Sequence, residues 1–229
     1  DGTLLGMDPD AFTKVYFKAL AQKLAPHGYE PKQLVDCVLR GTAAMVKNTG
    51  ERTNAEVFWQ VFRTEFGVRT DTDKALFDAF YEQEFDCTRQ ACNRIEAAGQ
   101  AVRRLQAAGY KLILATNPVF PRTAQVKRLR WAGLEPDTFM RITSYENSHY
   151  CKPNPKYYTE ILTETGRDAA MCIMVGNDAI EDTAAVAAGI PVFLLTDGLL
   201  NREGKDVSGY PQGGFGQLLR FLGLEETLG

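Results

Sequence analysis

Four short polar clusters lie at or near the ends of apolar runs, and their residue types suit chemistry. They are Asp1-Gly2-Thr3, Thr116-Asn117, Lys152-Pro153, and Gly176-Asn177-Asp178 with Glu181-Asp182. Together they supply carboxylates, a hydroxyl group and one ammonium group. Carboxylate oxygens are ligands that a hard divalent cation prefers, whereas neutral donors and an ammonium group suit phosphate oxygens. The clusters therefore predict a site for a divalent cation and a phosphoryl group.

The elements that position these clusters alternate between strand and helix from about residue 90 onward. Strands are predicted at 110–116, 140–144, 171–175 and 191–195, and helices up to residue 108 and at 121–132, 155–165 and 180–188. This alternation predicts an α/β fold with a doubly wound, mainly parallel Rossmann-like sheet. Ligands of such sheets bind outside the carboxyl ends of the strands, which is where the polar clusters fall.

Residues 9 to about 85 show a helical pattern instead. Asp8-Pro9 offers an N-cap with a first-turn proline, and Thr53-x-x-Glu56 has the form of a capping box. Four successive helices predict a small antiparallel bundle inserted between the first and second strands. The predicted organisation is a discontinuous α/β core of residues 1–8 and 90–229, with an all-helical domain of residues 9–89. Residues 213–229 are predicted to include a last packed helix.

Composition narrows the class of protein and its partners. The 229 residues carry a net charge of −3 with mixed signs, and no basic stripe suggests nucleic acid or a membrane surface as a partner. No apolar run approaches the roughly 20 residues of a membrane span. Five cysteines without a Cys-x-x-Cys pair favour a reducing, cytoplasmic location.

The order and content of the four clusters resemble the haloacid dehalogenase-like hydrolase superfamily over the whole chain. Asp1-Gly2-Thr3 resembles the second half of that family's first motif, Asp-x-Asp-Gly-Thr, and Thr116 resembles the second motif. Lys152-Pro153 resembles the third motif, and the run from Gly176 to Asp182 resembles the fourth. The resemblance implies an α/β hydrolase whose inserted helical domain is a cap over the site.

The resemblance also implies roles for individual residues. The nucleophilic Asp is expected two residues before Asp1, outside this sequence. Asp1 is implied as the general acid and base, and its carbonyl as a Mg²⁺ ligand. Asp178 is implied as a direct metal ligand, and Asp182 as a group that acts through water or orients Lys152. The implied activity is magnesium-dependent hydrolysis of a small phosphomonoester through an aspartyl-phosphate intermediate.

The chemistry of the side chains is consistent with these roles. The Thr116 hydroxyl and the following Asn117 can bind phosphate oxygens, and Lys152 can neutralise their charge. Asp178 and Asp182 are four residues apart, which places both carboxylates on one face if a helix begins near residue 177. A magnesium ion would reduce their mutual repulsion. Glu181 is interpreted as a surface residue.

Other functions stay open at this point. A phosphomutase of the same superfamily would use the same residues, and a catalytically inactive binding protein would account for a chain without the nucleophile. Carbon–halogen cleavage is disfavoured, since it needs neither an acid–base Asp1 nor a metal at Asp178. Cys151 with the nearby His149 suggests a thiol nucleophile, but no other feature of a thiol hydrolase accompanies them.

Specificity must come from the helical segment. Its candidate substrate contacts are Phe12, Tyr16, Arg40, Lys47 and Trp59. Helical spacing favours the three aromatic residues as core of the bundle. The sequence leaves the identity of the substrate and the oligomeric state open.

Overall fold

Helices fill much of the first half of the molecule, and strands and helices alternate in the second half. The computed structural model describes residues 2–224. Its strands are β1 (Leu5–Met7), β2 (Cys92–Arg94), β3 (Leu112–Leu114), β4 (Phe139–Ile142), β5 (Met174–Gly176), β6 (Val192–Leu195) and β7 (Gln212–Gly213). Its α-helices are α1 (Pro9–Leu24), α2 (Pro31–Val46), α3 (Asn54–Phe66), α4 (Arg69–Gln83), α5 (Glu96–Ala107), α6 (Arg122–Trp131), α7 (Pro155–Thr165) and α8 (Phe215–Phe221). None of these described helices is long and apolar enough to cross a membrane.

Parallel strand pairs form the framework of the α/β part. Strand β3 pairs with β4, and β5, β6 and β7 pair in that order, all in parallel. Helix α6 connects β3 to β4, as expected for a crossover between parallel neighbours. The α/β fold class predicted from the alternation is confirmed. Strand β7 was not predicted, because Gln212-Gly213 carries no apolar signal.

The helical segment leaves and rejoins the α/β part through two adjacent strands. Strands β1 and β2 are antiparallel, with Leu5 opposite Arg94 and Met7 opposite Cys92. Helices α1 to α4 and a 3₁₀ segment (Phe85–Ala91) lie between them in the chain. Residues 10–80, all of which are described, contain no strand. We propose that the helices form a cap domain of residues 9–89; the division at residues 8 and 90 stays a prediction.

Local hydrogen bonds explain where the helices begin. Asp8 accepts from the amides of Asp10 and Ala11 at 3.1 and 3.0 Å, which caps α1. At the start of α3, the Glu56 amide donates to the Thr53 hydroxyl and the Thr53 amide donates to the Glu56 carboxylate. This is the predicted capping box, and it satisfies two amides that a helix start would otherwise leave without partners.

One hydrophobic core joins the helical segment to the α/β part. Phe12, Phe62 and Phe77 of the helices belong to the same buried cluster as Leu129 of α6 and Ile142 of β4. Burial of this kind contributes roughly 25 cal/mol per Å² of apolar surface. The bundle therefore packs against the α/β part along a continuous apolar interior.

The predicted helix at 180–188 is wrong over its first three residues. Only Thr183–Ala188 is helical, and it is a 3₁₀ helix. The carboxylate of Asp178 accepts from the amides of Ile180 and Glu181, both at 2.8 Å, and these bonds hold residues 178–182 in a turn. Asp178 and Asp182 consequently lie on a loop rather than on the first turns of an α-helix.

Close packing between α2 and α3 generates a stability prediction. A Cβ atom added at Gly41 would lie 2.6 Å from the Phe58 ring, whereas one at Gly99 of α5 would meet only the end of Arg103 at 3.4 Å. We expect Gly41→Ala to destabilise the fold by roughly 1–3 kcal/mol through overpacking. The matched Gly99→Ala should stabilise it by roughly 0.5–1 kcal/mol, because alanine is the better helix former. Urea unfolding of both variants measures the difference, and equal stabilisation by both would contradict the packing argument.

Candidate functional site

A buried ion pair lies at the centre of the polar clusters. The Lys152 Nζ atom is 2.6 Å from Asp182 Oδ1, and the two side chains are only 5% and 6% exposed. The ammonium group also faces the rings of Tyr157 and Tyr158 at 5.9 and 5.8 Å from their centroids. A buried charge is tolerated when it is paired and hydrogen-bonded, so this arrangement fixes the position of one positive charge.

Asn117 connects this pair to the loop that follows β3. Its side-chain oxygen accepts from the Lys152 amide at 3.2 Å, and its side-chain nitrogen donates to Glu181 at 2.9 Å. One amide side chain therefore bridges the loops after β3 and β5 and the segment before α7. The predicted residues Asn117, Lys152 and Asp182 come together through these bonds.

Asp182 also sets the position of Asp178. Its second oxygen, Oδ2, accepts from the Asp178 amide at 2.8 Å. The space that this carboxylate occupies is open only because residue 176 is glycine: a Cβ atom there would lie 2.0 Å from Asp182 Oδ2. Gly176 at the end of β5 is thus required for close approach of the carboxylate to the strand.

Thr116 lies just beyond β3 and is held by its backbone. Its carbonyl oxygen accepts from the hydroxyl groups of Thr143 at 2.7 Å and Tyr157 at 2.8 Å. The residue is half-buried. These two bonds anchor the backbone of the strand end that carries the Thr116 hydroxyl and the Asn117 side chain.

The first polar cluster contacts the loop after β5. Asp1 lies outside the described residues, but the Thr3 hydroxyl donates to the Asn177 side chain at 2.8 Å. Asn177 is buried and also donates to the Gly198 carbonyl at 2.8 Å. No role was predicted for Asn177; its place between Gly176 and Asp178 in the fourth motif was the signal available.

Glu181 belongs to the cluster, which corrects its interpretation as a surface residue. It is half-buried and bonded to Asn117. Burial raises the pKa of its carboxyl above the usual value; Lys152 and the Asn117 bond oppose that effect, whereas the charges of Asp178 and Asp182 reinforce it. Three carboxyl groups therefore lie together at this end of β5, and Lys152 pairs with one of them.

The side chains of residues 2–224 supply only part of what a magnesium site needs. No three His, Cys, Asp or Glu side chains among them are grouped so that they could hold a metal ion. Asp178 nevertheless offers a hard carboxylate, with Oδ1 held by the amides of Ile180 and Glu181. The accumulated charge of Asp178, Glu181 and Asp182 is the chemistry that a hard dication relieves. Asp178 thus fits a magnesium ligand, and the predicted ligand Asp1 lies outside the described residues.

A buried asparagine at the start of α3, for which no role was predicted, connects the helices to the site. The Asn54 side-chain nitrogen lies 3.3 Å from the Pro118 carbonyl and 3.3 Å from Cys151 Sγ. Pro118 follows Asn117, and Cys151 precedes Lys152. Its spacing, four and eight residues before Phe58 and Phe62, places it on the apolar face of the helix, which was the signal available, but its distant partners could not be read from the chain.

The structure disfavours Cys151 as a nucleophile. Its side chain is buried, and burial raises the pKa of the thiol to about 12. His149 Nδ1 is bonded to Glu160 at 2.5 Å rather than to the thiol. Reactive cysteines have a lowered pKa and partial exposure, so Cys151 has the properties of a core residue.

The candidate contacts of the helical segment separate into two groups. Arg40 is exposed and pairs with Glu65 at 2.5 Å, and Lys47 is exposed. Phe12 and Tyr16 are buried in the hydrophobic core that the helices share with the α/β part, and the partly buried Trp59 packs against it.

Comparison with known proteins connects this arrangement to a family. The family model described as haloacid dehalogenase-like hydrolase matches residues 1–195. A phosphoglycolate phosphatase of Mesorhizobium japonicum is 31% identical over 45% of the chain and 44% of its own length. A plasmid-borne phosphoglycolate phosphatase of Cupriavidus necator is 34% identical over 45% of the chain and 42% of its length. The matched stretch thus spans less than half of each relative.

Solved structures show the same fold at low identity. A 2-haloacid dehalogenase of Pseudomonas syringae pv. Tomato matches with a TM-score of 0.60 and 22% identity over 97% of this chain and 95% of that one. A predicted phosphoglycolate phosphatase of Haemophilus somnus matches with a TM-score of 0.58 and 17% identity over 97% of this chain and 94% of that one. The strand-end clusters, the inserted helices and the family match over residues 1–195 together show that the chain belongs to the haloacid dehalogenase-like hydrolases.

Proposed function

We propose that this protein is a magnesium-dependent phosphatase of small phosphomonoesters. The observation that carries the proposal is the network in which Asn117, Lys152 and Asp182 meet beside Asp178. Such a network presents a fixed cation and neutral donors to a phosphate, and carboxylates to a metal. The two phosphoglycolate phosphatases supply the reaction class, though they match over less than half their length.

The side chains divide the binding of the phosphoryl group among them. In this proposal, the Thr116 hydroxyl and the Asn117 region donate hydrogen bonds to its oxygens. Lys152 donates one N–H to Asp182, which leaves its remaining donors to neutralise phosphate charge. Asp182 is then a positioning residue, because it acts by holding Lys152 and the Asp178 amide.

The reaction would proceed in two steps. In the first step, a carboxylate two residues before Asp1 attacks phosphorus and the bond between phosphorus and the oxygen of the leaving alcohol breaks. Asp1 gives a proton to that oxygen. Asp1 then takes a proton from water, which attacks the aspartyl-phosphate and releases inorganic phosphate. A bound magnesium ion would neutralise charge on the phosphoryl oxygens, and Asp178 with the Asp1 carbonyl would hold it.

The metal requirement generates the first test of this function. Full-length protein should hydrolyse phosphomonoesters only with magnesium, and Asp178→Asn should lower the rate about 100-fold or more, because a neutral amide binds a hard dication weakly. The measurement is phosphatase rate against magnesium concentration. Full activity of the wild type in chelator would reject the metal mechanism.

Thermal unfolding in chelator separates metal binding from helix-cap or turn stability. Asn at position 178 keeps an oxygen that can accept from the amides of Ile180 and Glu181, so Asp178→Asn should melt at or above the wild-type temperature. Asp178→Ala removes both bonds and should cost about 1 kcal/mol. A large loss of stability in Asp178→Asn itself would favour a purely structural role for the carboxylate.

Thr116 is expected to make a smaller contribution. Thr116→Ala removes one neutral hydrogen bond to phosphate and should lower kcat/KM about three- to tenfold. Thr116→Ser keeps the hydroxyl and should stay close to wild type. Steady-state kinetics of the two variants on one substrate measures the contrast, and an equal loss in both would assign the effect to the lost methyl group.

Thiol labelling tests the rival thiol chemistry. With a pKa of about 12, Cys151 carries about 1000-fold less thiolate at pH 8 than a thiol with the ordinary value of 9.0. Iodoacetamide should therefore label the exposed Cys87 in the folded protein and leave Cys151 unlabelled, as read by peptide mass spectrometry. Both should react in denaturant. Rapid labelling of native Cys151 would revive a nucleophilic role.

A further inference from the structure

An aromatic cavity of about 290 Å³ opens between the helices and the loop after β3. Its wall includes Phe12, Phe17, Trp59, Phe77 and Phe120. Among the described residues that line it, polar atoms come from Thr13, Thr42, the tyrosines and the Trp59 indole nitrogen, and none of the lining residues is charged. A pocket of about 150 Å³ suffices for benzene, so this volume holds a ring with a short substituent.

The cavity wall is continuous with the loops of the site. The chain runs from Thr116 and Asn117 through Pro118 into the lining residues Val119 and Phe120. The Tyr145 amide, from another lining residue, donates to the Phe120 carbonyl at 3.0 Å. A phosphoryl group bound at Thr116 and Asn117 therefore has the cavity as the neighbouring space for the rest of its ester.

The charge of the wall decides which esters fit. A carboxylate placed in this cavity would lose its water without gaining a cation, which costs several kcal/mol. The guanidinium of Arg128 lies beside the wall, 5.7 and 5.4 Å from the ring centroids of Phe12 and Phe120, and is not among the lining groups. An anionic leaving group would require a lysine or arginine that faces the cavity. The described lining contains neither.

The aromatic wall favours a particular guest. Rings in edge-to-face contact, such as Phe12 with Phe120 at 6.2 Å, attract another ring in the same way. The hydroxyl groups of Tyr16 and Tyr81, bonded to each other at 2.8 Å, leave hydrogen-bonding capacity for an oxygen of the guest. The lining thus matches an uncharged aryl group better than a small hydroxy acid.

We propose that this cavity binds the leaving group of the substrate, and that this group is an uncharged, aryl-bearing alcohol rather than a small carboxylate such as glycolate. The proposal rests on the proposed phosphatase function. Hydrolysis breaks the phosphorus–oxygen bond, water supplies the new oxygen on phosphorus, and the aryl-bearing alcohol leaves with a proton.

Kinetics on two esters tests this specificity. Full-length protein with magnesium should hydrolyse benzyl phosphate with a kcat/KM about tenfold or more above that for phosphoglycolate. Leu39 lines the cavity and is 51% exposed, so Leu39→Lys places a cation at its mouth without burying it. This variant should lower kcat/KM for benzyl phosphate and raise it for phosphoglycolate.

A matched variant controls for added charge. Val46 lies at the end of the same helix, is 44% exposed and is outside the cavity lining. Val46→Lys should leave both kcat/KM values unchanged. A preference for phosphoglycolate in the wild type, or equal effects of Leu39→Lys and Val46→Lys, would overturn the assignment of the cavity.

Binding measurements distinguish failure of this inference from failure of the phosphatase function. Calorimetry with benzylphosphonate and phosphonoacetate, which are not hydrolysed, should show benzylphosphonate binding about tenfold more tightly, and Leu39→Lys should narrow the gap. Tighter phosphonoacetate binding in a protein that hydrolyses phosphoglycolate would overturn the aryl specificity alone. Benzylphosphonate binding without hydrolysis of either ester would overturn the phosphatase function and, with it, the leaving-group role of the cavity.

Discussion

The ion pair between Lys152 and Asp182 is the constraint on which the rest of the site depends. Each of these buried charges is tolerated only because the other is paired with it, so the segment before α7 and the loop after β5 must keep their relative positions. Asn117 extends the constraint to the loop after β3 through its bonds to the Lys152 amide and Glu181. The ion pair and these hydrogen bonds thus connect three loops that are far apart in the chain into one unit, which suits the proposed phosphoryl transfer, whose catalysis is mainly positioning.

The same unit is connected to the helical segment. Asn54 contacts the Pro118 carbonyl and Cys151 Sγ, and the amide of Ala55 donates to the Tyr145 carbonyl at 2.7 Å. The start of α3 is therefore attached to the loops that carry the polar cluster. Because the aromatic interior of the helices continues into the α/β part, the cavity wall and the polar cluster share one packed support. The residues proposed to bind phosphate and those proposed to bind the remainder of the ester are thereby held at neighbouring positions.

Sequence reasoning succeeded where the determining interactions are local. The helix predicted at 155–165 matches α7, because Asn154 caps it and Pro155 begins it. The capping box at Thr53 and Glu56 is equally local. At Asp178 a competing local turn overrode the helical pattern, because the side-chain oxygen accepts from amides two and three residues further on. Prediction also failed where partners are distant: Glu181 is covered by contact with Asn117, 64 residues away. The contacts of Asn54 lie 64 and 97 residues away. No periodicity in the chain encodes such pairings.

Gly176 has a consequence for any attempt to transplant this site. The carboxylate of Asp182 occupies the space that a Cβ atom on the last residue of β5 would need, so any side chain at this position would displace the carboxylate. Displacement would release the Asp178 amide and deprive the lysine of its counterion at once. The glycine at the end of β5 and the carboxylate of Asp182 therefore have to be transferred together. A designer who grafts the acidic loop onto another sheet must also place a glycine at the end of the preceding strand.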